Sequence, residues 1–226
     1  RHSSSAASDV YKRQAYDYPV EFFNETTWRI PRSRPDLQQV DEAVKILKTA
    51  KKPLIISGGG VRYSGAVEAL VKFSEDRMIP VAETIAGKGA FVHDHPFYVG
   101  AIGIEGTDAA KELAENADVI IAVGTRLQDF TTGSWTTFRY DAKFININTA
   151  RFDAKKHFSN PIVGDALECL NELNSRMEDW VCDTNRIEEA RKLYANWNEM
   201  IDKGQAPTNA SIPVSYTHLR AHETES

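Results

Sequence analysis

The sequence lacks several features that would assign it to a functional class at once. No apolar run reaches the ~18 residues of a membrane-spanning helix, so we expect no membrane segment. Lys and Arg total 27 against 32 Asp and Glu, and the resulting net charge of −5 argues against a nucleic-acid-binding protein. The two cysteines, Cys169 and Cys182, are too few for a disulfide framework or a zinc site, which is typical of a cytoplasmic protein.

Catalytic signatures are also missing. The sequence contains no G-x-S-x-G nucleophile elbow, no constellation of paired carboxylates and no cysteine–histidine pattern. The segment His93-Asp94-His95 offers too few ligands for a metal site, at no familiar spacing, and a polar loop is the better interpretation. Taken alone, the residues predict a binding or scaffold domain.

The two ends of the chain differ from its middle. Residues 1–14 and 214–226 show neither helical nor strand periodicity and no signal-peptide pattern. They resemble translated adapter sequence, so we interpret them as non-native tails, and genuine disordered termini are the alternative. Both segments, with the three histidines that they contain, are therefore left out of the fold prediction.

The middle of the chain alternates helical and strand patterns. Apolar residues at helical spacing follow Asp36, and short apolar runs at 54–56 and 119–123 then end at glycine. Because these runs are continuous and do not alternate with polar residues, they predict parallel strands with helices on both faces. The expected fold is α/β, a doubly wound, mostly parallel Rossmann-like sheet. Its ligands would gather at the carboxyl ends of the strands.

Two glycine-containing segments follow predicted strands. Gly58, Gly59 and Gly60 lie between the first strand and a helix, an arrangement that suits a phosphate. Gly124 and Arg126 follow the strongest strand, and a guanidinium there could meet a phosphate or a carboxylate. These five residues are the candidate cofactor-binding residues. The alternatives are a tight turn for the glycines, and an interface or an internal ion pair for the arginine.

The order of these motifs resembles the central domain of thiamine-diphosphate enzymes. The resemblance extends over about residues 15–213 and is carried by Lys52-Pro53-Leu54-Ile55-Ile56 with the three glycines, Ile79-Pro80-Val81, Gly100-x-x-Gly103-x-x-Gly106-Thr107, Gly124-x-Arg126 and Gly164-Asp165-Ala166. Within the family, the chain is most similar to the branch that opens the ring of a cyclic 1,2-dione in myo-inositol breakdown. The residues at 15–19, 60–66, 82–84 and 129–134 carry that closer likeness.

The resemblance implies a hydrolase that cleaves a carbon–carbon bond in a cyclic dione, with thiamine diphosphate and Mg²⁺, as a homo-oligomer. It also implies that the activating glutamate and the metal-binding motif lie in domains absent from this chain. Here Asp165 is followed by alanine, and no Asn-Asn pair occurs. We therefore assign no catalytic and no metal-binding residue, and we expect the fragment alone to be inactive.

The same resemblance suggests a division of the chain between the two tails. Residues 15–35 are expected to be an extended linker from a missing N-terminal domain. Residues 36–178 would form the Rossmann-like central domain. Residues 179–213 would form a helical linker toward a missing C-terminal domain.

Some relatives with this domain bind FAD through glycines and an arginine like those singled out above. Here Glu105 stands in place of their histidine, Phe130 in place of their second arginine and Asn148 in place of an acid. Because these changes remove partners for the nucleotide, we expect neither FAD nor ADP to bind. Two alternatives stay open: a free-standing nucleotide-binding regulatory module, and the FAD-binding central domain of an enzyme similar to acetohydroxyacid synthase.

Overall fold

A computed structural model describes residues 17–177 and 179–204. The chain divides into two units, Arg1–Pro31 and Arg32–Ser226. The tails predicted at 1–14 and 214–226 lie outside the described residues, as does the end of the linker predicted at 179–213.

The described part of the first unit has little regular structure. It contains one 3₁₀ helix, Val20–Phe23, and no buried residue. The rings of Tyr18, Phe22 and Phe23 contact one another, with centroids 4.8 to 6.4 Å apart. The segment is therefore not a core element, in agreement with the sequence. Its role as a linker from another domain stays a prediction.

A six-stranded parallel sheet forms the centre of the second unit. Its strands are β1 (Pro53–Ser57), β2 (Val81–Glu83), β3 (Tyr98–Ala101), β4 (Val119–Val123), β5 (Lys143–Asn148) and β6 (Asn160–Val163). They lie in the order β3-β2-β1-β4-β5-β6. The direction of winding reverses between β1 and β4, which is the doubly wound topology. The predicted fold class is confirmed.

Helices cover both faces of this sheet. On one face pack α1 (Leu37–Leu47), α3 (Val67–Arg77) and α7 (Ala166–Ser175), and on the other α4 (Asp108–Glu115) and α8 (Asn185–Asp202). Shorter helices follow three strands: α2 (Gly59–Tyr63), α5 (Asp129–Thr132) and α6 (Arg151–Ala154). Two 3₁₀ helices complete the second unit, Ile85–Gly87 and Lys156–Phe158. Every residue of β1 and β4 is buried, because both faces of the sheet are covered.

Three long helices begin at residues whose side chains cap the first turn. The side chains of Asp36, Thr107 and Asp165 accept hydrogen bonds from backbone N–H groups two or three residues further on, at 2.9 to 3.1 Å. Each cap satisfies a donor that the first helical turn leaves unpaired. The caps thereby fix where the chain leaves each loop and enters its helix.

No helix within residues 17–177 and 179–204 combines the length and the apolar character that crossing a bilayer requires.

The buried guanidinium of Arg77 holds the chain segment that follows α7. Its Nη1 donates to the backbone carbonyls of Met177 and Trp180. Its Nε and Nη2 both donate to the side-chain oxygen of Asn174, at 3.0 and 2.8 Å. One side chain therefore joins the end of α3 to α7 and to the segment beyond it.

We expect Arg77→Met to lower the free energy of unfolding by about 2–4 kcal/mol, because the carbonyls of Met177 and Trp180 lose a charged donor. Urea denaturation of the complete chain measures this loss. The matched control is Lys72→Met on the same helix, which removes an exposed cation and should cost less than about 0.5 kcal/mol. Equal effects of the two substitutions would show that Arg77 has no special structural role.

Candidate functional site

A cavity of about 510 Å³ lies at the carboxyl ends of four neighbouring strands. Its walls come from the start of α2 after β1, from 84–86 after β2, from 101–105 at the end of β3, and from 124–126 and α5 after β4. This is the place where doubly wound sheets bind their ligands, and the volume suits a small molecule.

The structure brings the five candidate residues together, as expected for neighbouring strand ends. Gly59, Gly60, Gly124 and Arg126 line the cavity, and Gly58 directly follows β1 beside them. Their role in binding a cofactor stays a prediction.

The glycines allow the backbones after β1 and β4 to touch. A Cβ atom on Gly58 would lie 2.4 Å from the carbonyl oxygen of Gly124, and one on Gly60 would lie 2.7 Å from the Gly124 Cα. Gly124 itself has a φ of +62°, in the left-handed region. This close approach requires glycine whether or not a ligand is present.

The same contact occupies backbone donors that a phosphate would need. The Gly58 N–H donates to the carbonyl of Val123 at 2.8 Å, and the Gly60 N–H donates to that of Gly124 at 2.9 Å. Helix α2 is also only five residues long. A diphosphate cradle built on these N–H groups does not fit, and the contacts favour the tight-turn interpretation of the glycines.

Two charged side chains line the cavity, Arg126 and Glu105, and both are exposed. Among the described residues no ion pair joins Arg126 to Asp129, the acidic residue nearest to it in the sequence. The exposed guanidinium is therefore available to a ligand in the cavity or to a neighbouring surface. Phe130, which stands where FAD-binding relatives have arginine, also lines the cavity and adds no charge.

Large apolar side chains surround the mouth of the cavity. Tyr63, Ile85, Ile104 and Phe130 all line it, and each is between 58% and 88% exposed. A contiguous apolar patch of this kind marks a surface that contacts another molecule or domain.

Glu83 ends β2, where a dinucleotide fold would place an acid that binds ribose. Its carboxylate is instead buried and accepts hydrogen bonds from the N–H groups of Gly89, Ala90 and Phe91, at 3.2, 2.7 and 2.9 Å. Burial, together with this neighbouring negative charge, raises the pKa of Tyr98. Glu83 therefore orders the loop after β2 and does not face a ligand.

The histidine-containing loop at 93–96 is held by internal contacts. The His95 Nδ1 accepts from the Phe97 N–H at 3.2 Å, and its Nε2 lies 3.3 Å from a carboxylate oxygen of Glu75. Its ring also packs edge-on against Phe91, with centroids 4.8 Å apart. Within the described residues no three potential metal ligands come together. These contacts agree with a polar loop.

Neither cysteine is placed for catalysis. Burial raises the pKa of the Cys169 thiol to about 12 and also raises that of Cys182. Both thiols are therefore protonated at neutral pH and are poor nucleophiles.

Apart from Glu105, which the resemblance to FAD-binding relatives implied, the wall formed by 101–105 was not predicted at this site. Strand β3 carries no long apolar run that would identify it in the sequence, so the residues after it could not be placed next to those after β1 and β4. The spacing Gly100-x-x-Gly103-x-x-Gly106 is the one signal that could have located it. Gly100 and Gly103 both have positive φ values, and a Cβ on Gly103 would lie 2.4 Å from the carbonyl oxygen of Phe130.

Comparison with known families gives one match, and it spans the whole sheet. The model of the thiamine pyrophosphate enzyme central domain matches residues 40–173. The chain belongs to this family. The matched range begins in α1 and ends in α7, so this central domain contains all six strands and both sides of the cavity.

Curated relatives of this central domain share one name, 3D-(3,5/4)-trihydroxycyclohexane-1,2-dione hydrolase. The protein from Geobacillus thermodenitrificans is 42% identical over 191 residues, which are 84% of this chain and 29% of that protein. The one from Clostridium perfringens is 41% identical over 187 residues, 82% of this chain and 29% of the relative. The one from Listeria monocytogenes is 44% identical over 190 residues, with shares of 84% and 29%. The chain thus spans less than a third of the length of these relatives.

If the glycines serve the backbone contact, Gly58→Ala should destabilise the central domain by about 3 kcal/mol or more with no ligand present. Gly59→Ala should cost less, because its Cβ would lie 3.0 Å from the nearest atom, a carbonyl oxygen. Thermal and urea unfolding of the complete chain measure both effects.

The matched control is Gly65→Ala. Gly65 has a φ of +67° but nothing within 4 Å of an added Cβ. It should cost only about 1 kcal/mol, for the backbone conformation alone. The backbone-contact explanation is wrong if Gly58→Ala costs no more than this control.

Proposed function

We propose that this chain is the central part of a thiamine-diphosphate-dependent hydrolase that opens the ring of 3D-(3,5/4)-trihydroxycyclohexane-1,2-dione in myo-inositol catabolism. The observation that carries the proposal is the identity of 41% to 44% with proteins of that name, over more than four-fifths of the chain. The full-length enzyme would work in the cytoplasm as a homo-oligomer assembled through its other domains.

Within that enzyme, the role proposed for this chain is that of a scaffold. Its cavity offers hydroxyl groups, one amide, one arginine and one glutamate. Among the described residues no three potential metal ligands come together, so these residues do not fit the Mg²⁺ ion through which the cofactor's diphosphate would be held. We place the binding of both groups in other parts of the full-length protein.

The apolar rim of the cavity is consistent with this role. Four large side chains exposed around one opening are an unfavourable surface for a domain that works alone. A domain enclosed within a larger enzyme has other surfaces to cover them. The free-standing nucleotide-binding module, which is the first alternative, leaves this rim unexplained.

The second alternative, an FAD-binding central domain, has weaker support. Two of the three N–H groups in the glycine turn already donate to backbone carbonyls. Glu105 and Phe130 both line the cavity, so the two replacements seen in the sequence fall where they would affect a ligand. A negative charge and a ring at these positions give a diphosphate less favourable electrostatics than cations would.

A domain exchange tests the proposed reaction. Residues 17–204 replace the corresponding segment of the Geobacillus thermodenitrificans hydrolase, and ring opening of the dione is assayed with thiamine diphosphate and Mg²⁺. We expect a kcat/KM within about tenfold of the parent, which is about 1.4 kcal/mol of transition-state stabilisation. The chain by itself should show no turnover under the same conditions.

The control for this exchange is a chimera that carries the central domain of an acetohydroxyacid synthase at the same junctions. It should lose most of the ring-opening activity, because its domain surfaces are those of another enzyme. A chimera with residues 17–204 that folds and assembles like the parent yet is inactive would refute the proposal. Turnover by the isolated chain would instead refute the scaffold role proposed for it.

A nucleotide-binding test separates the alternatives. We expect millimolar ADP or FAD to leave the melting temperature of the complete chain unchanged, whereas a ligand at a hundred times its Kd would add about 2.7 kcal/mol. The double variant Glu105→His, Phe130→Arg restores the missing partners and is the comparison that should gain affinity. A clear rise in the melting temperature of the unmodified chain with ADP or FAD would favour one of the nucleotide-binding alternatives.

A further inference from the structure

A second groove, of about 660 Å³, lies at the amino ends of β5 and β6. It is separate from the cavity described above, which lies at the carboxyl ends of the strands. Six ring-bearing residues line it: Trp135, Phe138, Tyr140, Phe144, His157 and Phe158. We call this the aromatic groove. Its volume falls within the range of about 300–1,000 Å³ typical of small-molecule sites.

The inner wall of the aromatic groove is a packed cluster of rings. Phe144 lies 5.3 Å from Trp135 and 5.1 Å from Phe138, between ring centroids, and both pairs meet edge to face. At the mouth, Tyr140 and Phe158 are fully exposed and have no such support. A rigid inner wall with free rings at the opening suits a flat apolar ligand, because aromatic rings gain from offset or edge-to-face stacking.

The backbone at this groove is strained in two separate segments. Ser134 and Trp135 have φ values of +53° and +66°, and His157 and Phe158 both have +57°. None of the four is glycine, and for bulky side chains this conformation is uncommon and unfavourable. Its effect is to bring the rings of Trp135 and His157 to a centroid distance of 3.5 Å. Strained residues of this kind cluster at ligand-binding sites.

The polar groups of the groove favour an anion. Arg139 and Lys143 line it, and no carboxylate does so in the part of the chain that the structure describes. Asp141 holds the Arg139 guanidinium through two hydrogen bonds of 2.6 Å, whereas the described ion pairs do not include Lys143. Burial and the nearby Lys156 lower the pKa of His157, so its ring is neutral at pH 7 and adds no charge.

Asn160 provides a further polar group at the same wall. Its side-chain nitrogen is buried without a hydrogen-bond partner among the described residues. A small turn of this amide toward the groove would let it donate to an oxygen of a ligand, which would satisfy a donor that is otherwise costly to bury.

From these observations we propose that the aromatic groove binds a small anion with a flat apolar ring, of the class of aryl carboxylates. The ring would stack against Trp135 and the exposed rings at the mouth, and the carboxylate would be held at Lys143. The site is independent of the proposed hydrolase activity, because no residue of the carboxyl-end cavity contributes to it.

Equilibrium dialysis of the complete chain tests the proposal, with 2-naphthoate as the probe and uncharged 2-naphthamide as its matched analogue. We expect saturable one-to-one binding of 2-naphthoate with a Kd below about 1 mM. The amide should bind at least about fivefold more weakly, because it cannot form a charge-assisted bond. No saturable binding up to about 5 mM, or equal affinities for the two probes, would overturn the proposal.

Variants locate the site. Lys143→Glu should raise the Kd for 2-naphthoate at least about tenfold, since it replaces attraction by repulsion. Tyr140→Ser should raise it about threefold through lost stacking. Both side chains are exposed, so both variants should fold, and a circular dichroism melt checks this.

Two charge reversals outside the groove are the controls. Lys155→Glu changes an exposed cation nearby in sequence, and Arg126→Glu changes the cation of the other cavity. Each should leave the Kd within about twofold, because neither side chain can contact the ligand. If Arg126→Glu abolishes binding while Lys143→Glu does not, the probe occupies the other cavity and the proposal is wrong.

Discussion

The backbone contact between the ends of β1 and β4 is the constraint on which the rest of the domain depends. At this point Gly58 and Gly60 approach Gly124 so closely that no Cβ fits between the chains. At the other end of the same strands, the Asp118 carboxylate accepts from the N–H groups of Lys51 and Lys52, at 2.7 and 2.8 Å. The central strand pair is therefore held at both ends. Because the winding of the sheet reverses across this pair, its geometry also determines where the cavity forms.

The same contact explains why this domain has the glycines of a nucleotide-binding fold although those glycines do not require a bound nucleotide. Glycines after a first strand are a common signal for phosphate, yet here two of their N–H groups bind protein carbonyls. Those glycines would be required by the fold even if the ligand were lost. Exposed residues at the cavity are freer to change, and two of them, Glu105 and Phe130, are among the three positions that depart from the FAD-binding pattern. Fold and ligand are thus determined by different residues.

Much of the fold follows from short patterns in the sequence, and the exceptions have physical reasons. The continuous apolar runs that form β1 and β4 predicted buried parallel strands, because a strand covered on both faces has no polar side. Strand β3 was not predicted, because its four residues carry no long apolar run. One of them is Gly100, which has a φ of +92°. The role of Glu83 in ordering the loop after β2 was not predicted either. Its partners are backbone N–H groups, which every residue except proline has, so no residue type indicates them. The aromatic groove combines 135–144 with 157–160, and no local pattern reveals that they meet.

The two ends of the sheet differ in how their geometry is maintained. At the carboxyl end, glycine removes the steric conflict where β1 and β4 touch, and of the residues just after β4 only Leu127, with a φ of +47°, has a side chain in the left-handed region. At the amino end, four residues with side chains adopt left-handed conformations, each unfavourable by about 1–2 kcal/mol. Their total is comparable with the whole stability of a typical domain, about 5–15 kcal/mol. Such conformations persist only where the surrounding packing leaves no alternative, and here the Trp135, Phe138 and Phe144 rings provide that packing. Glycine at these positions would relieve the strain but would remove the ring of Trp135 or His157, and with it the stacking surface of the groove.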